Sequence, residues 1–116
     1  MRYKRGDIVL VLFPNSDLRS AKRRPALVVQ ADNLNTGLPQ VVVAMITSNL
    51  TRAGHPSRVL ITLSSALRRQ TGLLSDSVIV TDNLATVAET EIVSVLGIWP
   101  DMPLIDNALR HTFGLQ

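Results

Sequence analysis

The sequence is poor in the residues on which several common kinds of chemistry depend. It contains no cysteine, two histidines and few aromatic residues, namely one Trp, one Tyr and two Phe. Without cysteine there are no disulfides, thiol nucleophiles or thiolate metal sites, and two histidines are too few for a multi-histidine metal site. The scarcity of aromatic side chains disfavours a sheet that stacks single-stranded bases. We therefore expect no bound metal and no cofactor.

Glycine-rich loops and long apolar runs are missing as well. The six glycines are isolated, and none opens a helix in a phosphate-loop pattern, which disfavours NTP-dependent chemistry. No apolar run reaches the roughly 18 residues that span a bilayer. The run at 7–14 also lacks the small-residue cleavage site of a signal peptide. We predict a cytoplasmic protein that does not contact membranes, with one domain covering residues 1–116.

Short apolar segments rich in Val, Ile and Leu recur along the chain, separated by turn-forming residues. Their length and β-branched content favour strands over helices. The predicted strands cover residues 7–14, 25–30, 40–46, 58–63, 77–82 and 92–99. Several are apolar at consecutive positions, so both faces of the sheet should be buried, the second one by a helix, a loop or another subunit. We expect a homodimer.

The end of the chain has a different periodicity. Its apolar residues recur at the spacing of one helical stripe, with Asp101 as a candidate N-cap and Gly114 at the C-cap position. The stripe consists of Leu104, Ile105, Ala108, Leu109, Thr112 and Phe113. Short strands followed by a single helix predict a mainly β fold, a small closed or nearly closed barrel with a C-terminal helix packed on it.

Charge is distributed unevenly, although the net charge is only +3. Residues 1–24 hold seven Lys or Arg against two Asp, and residues 51–70 hold four Arg and no acid. Residues 71–116 hold six acids against Arg110 alone. If the two basic segments converge in space, they attract a polyanion, whereas scattered surface charge does not. The sequence leaves both arrangements open.

For one basic residue, the following residue restricts the backbone conformation and therefore the position of the side chain. Arg24 directly precedes Pro25, whose ring restricts the preceding residue to an extended conformation. A guanidinium fixed at the start of a strand can present its planar fork to a phosphate. Thr47 and Ser48, at the end of another predicted strand, would add hydroxyl groups, although ordinary strand termination also explains them. His55 lies in a turn, where a phosphate or base contact competes with a structural role.

Four segments in this order resemble the MazF/PemK family of toxin endoribonucleases. They are KRGDIVLVLFP, KRRPALVVQAD, VVVAMITSN and TGLLSDSVIVTDNLATV, followed by the closing helix. The resemblance covers nearly the whole chain. It implies an SH3-like barrel that forms a homodimer and is the toxin half of a type II toxin–antitoxin pair. It also implies DNA binding together with the antitoxin, and cleavage of single-stranded mRNA at short sequence motifs without a metal.

The same resemblance assigns roles to individual residues. The family's Arg-Pro motif corresponds to Arg24 and Pro25, and its strand-end threonine corresponds to Thr47. Its acid corresponds to Asp82, a candidate general base for which a structural cap or turn contact is an equal alternative. Metal-free cleavage can use the 2′-hydroxyl of RNA as nucleophile. Arg24 would then stabilise the charged phosphorane, and Thr47 would hydrogen-bond the scissile phosphate.

Two positions depart from the family, because Val80 and Ala85 stand where arginines are usual. Other polar and basic residues are candidates for replacing these cations. The predicted RNA-binding residues are Arg19, Lys22, Arg23, Ser48, Asn49, Arg52, His55, Arg58, Arg68 and Arg69. The first three lie on a predicted loop between the first two strands. The resemblance implies that this loop closes over the substrate, and we expect these three residues to overlap the site of an antitoxin with a disordered segment.

Two other functions stay open for a chain with these residues. One is a non-catalytic toxin of the same fold that inhibits DNA gyrase. The other is a degenerate member that binds RNA or the antitoxin without cutting. The pairing of Arg24 with Thr47 favours the nuclease, because a protein-binding toxin has no use for a phosphate-directed arginine. The substitutions at positions 80 and 85 keep the degenerate member open.

Overall fold

The structure is a computed structural model that describes residues 2–14, 17 and 19–116. The strands are β1 (Asp7–Pro14), β2 (Ala21–Val28), β3 (Gln40–Thr47), β4 (Arg58–Ile61), β5 (Ser77–Ala88) and β6 (Ile92–Ile98). The α-helices are α1 (Ser65–Thr71) and α2 (Met102–Phe113), and short 3₁₀ turns cover Leu50–Arg52 and Glu89–Glu91. Over the described residues, neither α-helix is long and apolar enough to cross a membrane.

All six predicted strands are present, and three of them, β2, β3 and β5, are longer than predicted. β2 begins at Ala21 because β1 continues to Pro14, and the two strands pair as a hairpin up to these residues. Lys22, Arg23 and Arg24 therefore lie within a strand, and the prediction that the first two lie on the connecting loop was wrong. β5 has 12 residues and pairs with β3 over most of its length.

The sheet has the order β4, β5, β3, β2, β1, β6, and every neighbouring pair is antiparallel. β4 and β6 are its two edges, so hydrogen bonds do not close the sheet into a barrel. Helix α1 follows β4 along the chain yet packs against β6 at the other edge. A Cβ at Gly72 would lie 2.2 Å from the carbonyl oxygen of Leu96. The sheet is therefore curled enough for α1 to bridge its two edges.

Helix α1 was not predicted from the sequence. The prediction of a single helix in the chain was therefore wrong. Its signals are local. The side chain of Ser64 accepts a hydrogen bond from the N–H of Leu67 at 3.1 Å, and Gly72 ends the helix with a φ of 71°. Seven residues are too few to display an apolar stripe, and only Thr71 among them is buried. Tertiary contacts determine such a short helix.

Both faces of the sheet are apolar, as the consecutive apolar positions predicted. One face holds mainly strand side chains, including Val9 and Phe13 of β1. The other face combines strand residues such as Ile8 with residues of both helices, among them Leu67 of α1 and Ile105 of α2. Within the described chain, the helices thus cover the second face.

Helix α2 spans the residues predicted for it, although only part of its stripe is buried. Ile105 is fully buried, whereas Leu104 and Phe113 are 46% and 57% exposed. Gly114 ends the helix in the left-handed conformation, with a φ of 68°. Asp101 stands at the N-cap but makes no capping hydrogen bond through its side chain. The C-cap prediction is confirmed, and the N-cap prediction is confirmed in position only.

Candidate functional site

A cavity of about 550 Å³ lies where β2 and β3 separate. The last pair of the β2–β3 ladder is Ala26 with Met45, and the residue before Ala26 is Pro25, which has no N–H to donate. β2 stays paired with β1 at this point, with Pro25 opposite Leu10. The ladder stops while both strands continue, and a space opens between them. We call it the Arg24 cavity.

The register places two of the three residues predicted to be catalytic on the same face of the sheet. Because Ala26 pairs with Met45, continuing this register by two residues sets Arg24 opposite Thr47. Both residues are half-buried and line the cavity, and the Nε atom of Arg24 is buried. Oγ1 of Thr47 accepts a hydrogen bond from the N–H of Asn49 at 3.2 Å. The threonine hydroxyl keeps its own hydrogen for donation.

The Arg24 cavity combines cations with apolar and hydroxyl side chains. Its charged lining residues are Lys22, Arg23 and Arg24, and no Asp or Glu stands among the described residues at its walls. The rest of the lining consists of Leu10, Pro25, Ile46, Thr47, Ser48, Gly72, Leu73, Leu74, Ser75, Ser77 and Leu96. An anion that enters this cavity meets donors and cations without a competing carboxylate.

One wall of the cavity comes from a segment that the sequence prediction did not select. Residues 72–75 follow α1, and Ser77 begins β5. The segment reaches the cavity because α1 ends against β6 and the chain then turns back towards the sheet. The signal that identifies it is the pair of helix caps, Ser64 and Gly72, which predict a short helix and a change of direction before β5.

A second group of predicted site residues lies outside this cavity. Arg58 Nη2 lies 2.9 Å from Oδ2 of Asp82, and Arg58 Nε lies 3.3 Å from Oδ1. Arg58 Nη1 also donates to the carbonyl of Arg52 at 3.2 Å. The hydrogen bonds from Arg58 lower the pKa of Asp82 below its ordinary value. We call Arg52, His55, Ser57, Arg58 and Asp82 the Arg58 cluster.

His55 is held in the Arg58 cluster by its own turn. Its Nδ1 accepts a hydrogen bond from the N–H of Ser57 at 3.1 Å and lies 2.7 Å from the Ser57 hydroxyl. Nδ1 is therefore an acceptor, and the hydrogen of the neutral ring is on Nε2. The ring packs edge-on against His111 of α2, with 5.7 Å between the ring centroids. These contacts are structural, and RNA binding by His55 stays a prediction.

The other predicted RNA-binding residues are spread over the molecule. Asn49 caps the following 3₁₀ turn with its side chain. Arg68 Nη1 donates to the carbonyl of Leu74 at 2.6 Å. Arg19 and Arg69 are exposed. Of the predicted site residues, the cavity brings together Lys22, Arg23, Arg24, Thr47 and Ser48.

The two positions that lack the usual arginines are apolar for a structural reason. Val80 is 1% exposed and pairs with Met45, and Ala85 is partly buried against the same face of the sheet. A guanidinium at either position would lose much of its hydration, which is costly for a charged group. The cations of the cavity come from β2 instead.

The sequence as a whole matches a known family. A family model described as PemK-like, MazF-like toxin of type II toxin-antitoxin system matches residues 4–113. The chain belongs to this toxin family. The resemblance drawn from the sequence motifs is thus confirmed, and the match spans every residue that lines the Arg24 cavity.

Curated PemK/MazF-like toxins are similar to this chain over most of their length. Endoribonuclease MazF2 of Mycobacterium bovis and endoribonuclease MazF6 of Mycobacterium tuberculosis are each 35% identical to it over 107 residues. Each alignment covers 90% of this chain and 90% of the relative. The similarity therefore concerns the whole chain and not a single motif.

Solved structures of PemK/MazF-like toxins share the fold. Mycobacterium tuberculosis toxin MazF-mt6 gives a TM-score of 0.74 at 23% identity, over 95% of this chain and 98% of that one. A mycobacterial endoribonuclease in complex with its cognate antitoxin gives 0.72 at 24% identity, over 98% and 97%. A chain of MazE-MazF from Deinococcus radiodurans gives 0.66 at 20% identity, over 100% and 99%. The mainly β architecture with a C-terminal helix is that of this family.

Proposed function

We propose that this toxin is a cytoplasmic endoribonuclease that cuts single-stranded mRNA at short sequence motifs and needs no metal. The observation that carries the proposal is the placement of Arg24 and Thr47 on one face, in a cationic cavity with no carboxylate at its described walls. Phosphate is the ligand that suits a guanidinium fork beside a hydroxyl. Relatives named as endoribonucleases support the same function.

In the proposed reaction, the 2′-oxygen of a ribose attacks the adjacent phosphorus, and the bond from phosphorus to the 5′-oxygen breaks. The products are a cyclic phosphate and a 5′-hydroxyl, so the proton lost at the 2′-oxygen is balanced by the proton gained at the 5′-oxygen. Arg24 stabilises the negative charge that develops on the phosphorane, and Thr47 donates a hydrogen bond to a phosphate oxygen. Arginine stays protonated in proteins, so Arg24 stabilises charge and transfers no proton.

Asp82 is the predicted catalytic residue that this arrangement supports least. It is held by Arg58 and does not line the Arg24 cavity. A carboxylate with a lowered pKa is also a weaker base. We therefore propose that Asp82 is a structural contact that holds Arg58 at the start of β4 against β5, in line with the structural alternative that the sequence left open.

The cationic side of the cavity suggests how its ligands bind. Lys22 and Arg23 are exposed residues of β2 next to Arg24, and we propose that they bind the RNA backbone. An acidic or apolar segment of the antitoxin is proposed to fill the same cavity, because cations and apolar side chains line it together. The structural relative in complex with its cognate antitoxin supports a protein partner of this kind.

We further propose that the chain is one domain with an SH3-like barrel and that it forms a homodimer. The bridge that α1 makes between the two edges of the sheet supports the barrel. The edge strand β6 carries Val93, Val95 and Ile98 with 49%, 51% and 52% of their surface exposed, which supports burial against a second copy. Sedimentation of a monomer at all accessible concentrations would argue against the dimer.

The nuclease is tested by incubating the purified protein with a long unstructured RNA in EDTA and mapping the ends of the fragments. Discrete cuts that carry a cyclic phosphate and a 5′-hydroxyl are expected. Arg24→Ala should slow them by about 10²–10³-fold, the typical cost of removing one charge-stabilising donor. Arg110→Ala is the matched control, because it removes an exposed arginine from α2, outside the cavity, and should leave the rate unchanged.

The possible outcomes separate the candidate functions. Intact RNA in the presence of the wild-type protein would contradict the nuclease, and assays of gyrase supercoiling and RNA binding would then distinguish the two non-catalytic alternatives. Cleavage that is equal in the wild type and in Arg24→Ala would keep the nuclease but move its site away from this cavity.

A further inference from the structure

Arg68 was predicted to bind RNA, but the structure gives its side chain a partner within the protein. Arg68 Nη1 donates to the carbonyl oxygen of Leu74 at 2.6 Å. Leu74 belongs to the segment 73–77, which we call the cavity wall; all of its residues except Asp76 line the Arg24 cavity. The guanidinium of Arg68 therefore fixes the backbone of this wall.

The cavity wall is held by hydrogen bonds along its whole length. The N–H of Leu73 donates to the hydroxyl of Thr71 at 3.2 Å, and the hydroxyl of Ser77 donates to the carbonyl of Ser75 at 2.9 Å. The carboxylate of Asp76 accepts a hydrogen bond from a backbone N–H before α1 at 2.8 Å. Together with the bond from Arg68, these contacts involve every residue of the wall. A segment held in this way has a defined backbone before any ligand arrives.

Leu74 differs from its neighbours on this wall. Its side chain is 86% exposed, the largest exposed fraction among the large apolar side chains that the structure describes. Leu73 beside it is 4% exposed and packs into the core under the helices. Covering an exposed leucine with a ligand releases free energy in proportion to the buried area. A wall that is already ordered loses little entropy when this happens.

We infer that the cavity wall determines which RNA sequences the toxin cuts. Leu74 packs against a base next to the scissile phosphate. Arg68 is a positioning residue that holds Leu74 in place and does not contact phosphate. The inference rests on the proposed function, because it takes the phosphate to lie at Arg24 and Thr47 in the same cavity.

A nucleotide suits this arrangement because it combines two different requirements. Its phosphate needs cations, and its base needs an apolar surface a short distance away. The cavity supplies cations from β2 and Leu74 from another wall, within about 550 Å³. Proteins that select single-stranded RNA sequences read unstacked bases by packing against their faces and hydrogen-bonding their edges. The hydroxyl of the exposed Ser75 on the same wall supplies a group for the second task.

The test compares Arg68→Ala and Leu74→Ala with the wild type on one long RNA. It records the relative rates at the strongest cut sites and the slope of log affinity against log salt concentration. In both variants, the ratio of the cleavage rates at different cut sites should change by about 10-fold, which is at the low end of the discrimination that one apolar contact gives in a selective pocket. The salt slope should stay unchanged. Arg110→Ala controls for the loss of one positive charge and should change neither quantity.

Arg68→Lys keeps the test valid if Arg68→Ala does not fold. It retains the charge but alters the bond to the Leu74 carbonyl, so a changed cut ratio is still expected. A salt slope that is smaller by about 0.7 in Arg68→Ala would reveal a phosphate contact and overturn the inference. Unchanged cut ratios in Leu74→Ala would overturn it as well, and a simultaneous change of oligomeric state would assign Leu74 to a contact between copies.

Hydrogen exchange of the protein without RNA separates this inference from the proposed function. If the wild-type protein leaves RNA intact, the proposed function fails, and with it the contact between Leu74 and a base. Faster amide exchange at residues 73–77 in Arg68→Ala than in the wild type would still support Arg68 as a positioning residue. Equal exchange in the two proteins would overturn that part too.

Discussion

The Arg24 cavity and the Arg58 cluster contain similar residues and use them in opposite ways. In the Arg58 cluster, the guanidinium binds the carboxylate of Asp82 at 2.9 Å and a backbone carbonyl at 3.2 Å. The described walls of the Arg24 cavity carry three cations and several hydroxyls but no carboxylate. An arginine whose fork already holds a carboxylate has fewer donors left for a phosphate. The surroundings of an arginine, more than its presence, separate a binding role from a structural one.

The difference between the two regions begins in the pairing of the strands. The β4–β5 ladder begins with Arg58 opposite Val80, and Asp82 lies two residues beyond this pair in β5, where the Arg58 side chain reaches it. β2 and β3 separate after Ala26 and Met45, and Pro25 offers no N–H to continue the ladder. A carboxylate beside the end of the β4–β5 ladder fills the first region, whereas the described walls of the second region supply no such partner and leave it open to a ligand.

Beyond Arg24→Ala, the largest expected effect is that of removing the hydroxyl of Thr47. Thr47→Val retains the approximate shape of the side chain but loses the donor, so cleavage should fall by about 10²–10³-fold. Thr86→Val removes an exposed hydroxyl from β5, outside the cavity, and should leave cleavage unchanged. Single-turnover rates on a short RNA that contains one cut site provide the measurement. Equal losses of cleavage rate in both variants would show that the cavity is no more important for cleavage than the rest of the sheet.

The next largest effect concerns the junction of α1 and β6, which supports the cavity wall. A Cβ at Gly97 would lie 2.3 Å from the carbonyl oxygen of Gln70, so Gly97→Ala should lower the free energy of unfolding by about 3 kcal/mol. Gly54 is the control, because a Cβ there meets nothing within 4 Å although its φ is 87°. Gly54→Ala should cost about 1 kcal/mol, the left-handed penalty alone. Urea unfolding measures the free energy of unfolding of both variants. A larger loss of stability at Gly54 than at Gly97 would contradict the close packing at Gly97.

A third comparison asks whether the two basic regions bind RNA together. Replacing Lys22 and Arg23 with alanine should reduce the salt slope of RNA binding by about 1.4, because each phosphate contact to a single strand contributes about 0.7. Arg52→Ala removes an exposed cation from the Arg58 cluster, and we expect no change in slope. A reduction of about 0.7 in Arg52→Ala would instead join the two regions into one RNA-binding surface.

The smallest effect is the pH dependence of the pair between Arg58 and Asp82. Arg58 lowers the folded-state pKa of Asp82, so the ionised pair stabilises the fold above the carboxyl's ordinary pKa. The contribution is lost as the pH falls through the lower, folded-state pKa. The pair is partly exposed, so the effect should be small.

Asp82→Asn is the variant that isolates this contribution. Urea unfolding should show that the wild type loses slightly more stability than Asp82→Asn between about pH 7 and about pH 3, since carboxyl groups titrate in this interval. An equal loss in the two proteins would show that the pair adds nothing to the fold. A folded Asp82→Asn protein that no longer cleaves RNA at neutral pH would restore Asp82 as the general base.

Much of the fold could be predicted because the strands and α2 have strong periodic patterns. The apolar segments identified every strand, and the stripe through Ile105 identified α2. Helix α1 was missed because a seven-residue helix is shorter than two apolar repeats, and only its caps, Ser64 and Gly72, mark it. The open edges at β4 and β6 could not be derived either, since closure depends on how far the sheet curls, and strand patterns do not encode this quantity.

The candidate site was predictable where local rules apply. Pro25 and the end of a strand pointed to Arg24 and Thr47, which line one cavity. The partners of the other arginines were not predictable, because they depend on contacts between separate segments. Arg58 meets a carboxylate 24 residues away, and Arg68 meets a carbonyl beyond the end of its own helix. Counting charges along the chain could not separate these arginines from those of the cavity.

The packing of Gly72 and Gly97 has a consequence for how members of this family diverge. Backbone contacts at these two glycines leave no room for a side chain, so the frame that carries the cavity wall tolerates little change. Leu74 and Ser75 on the same wall are exposed, and exposed positions accept most substitutions with little loss of stability. On the inference that this wall selects the RNA sequence, substitutions can alter target preference one side chain at a time while the scaffold stays intact. A frame that tolerates little change thus carries positions at which target preference can change without loss of the fold.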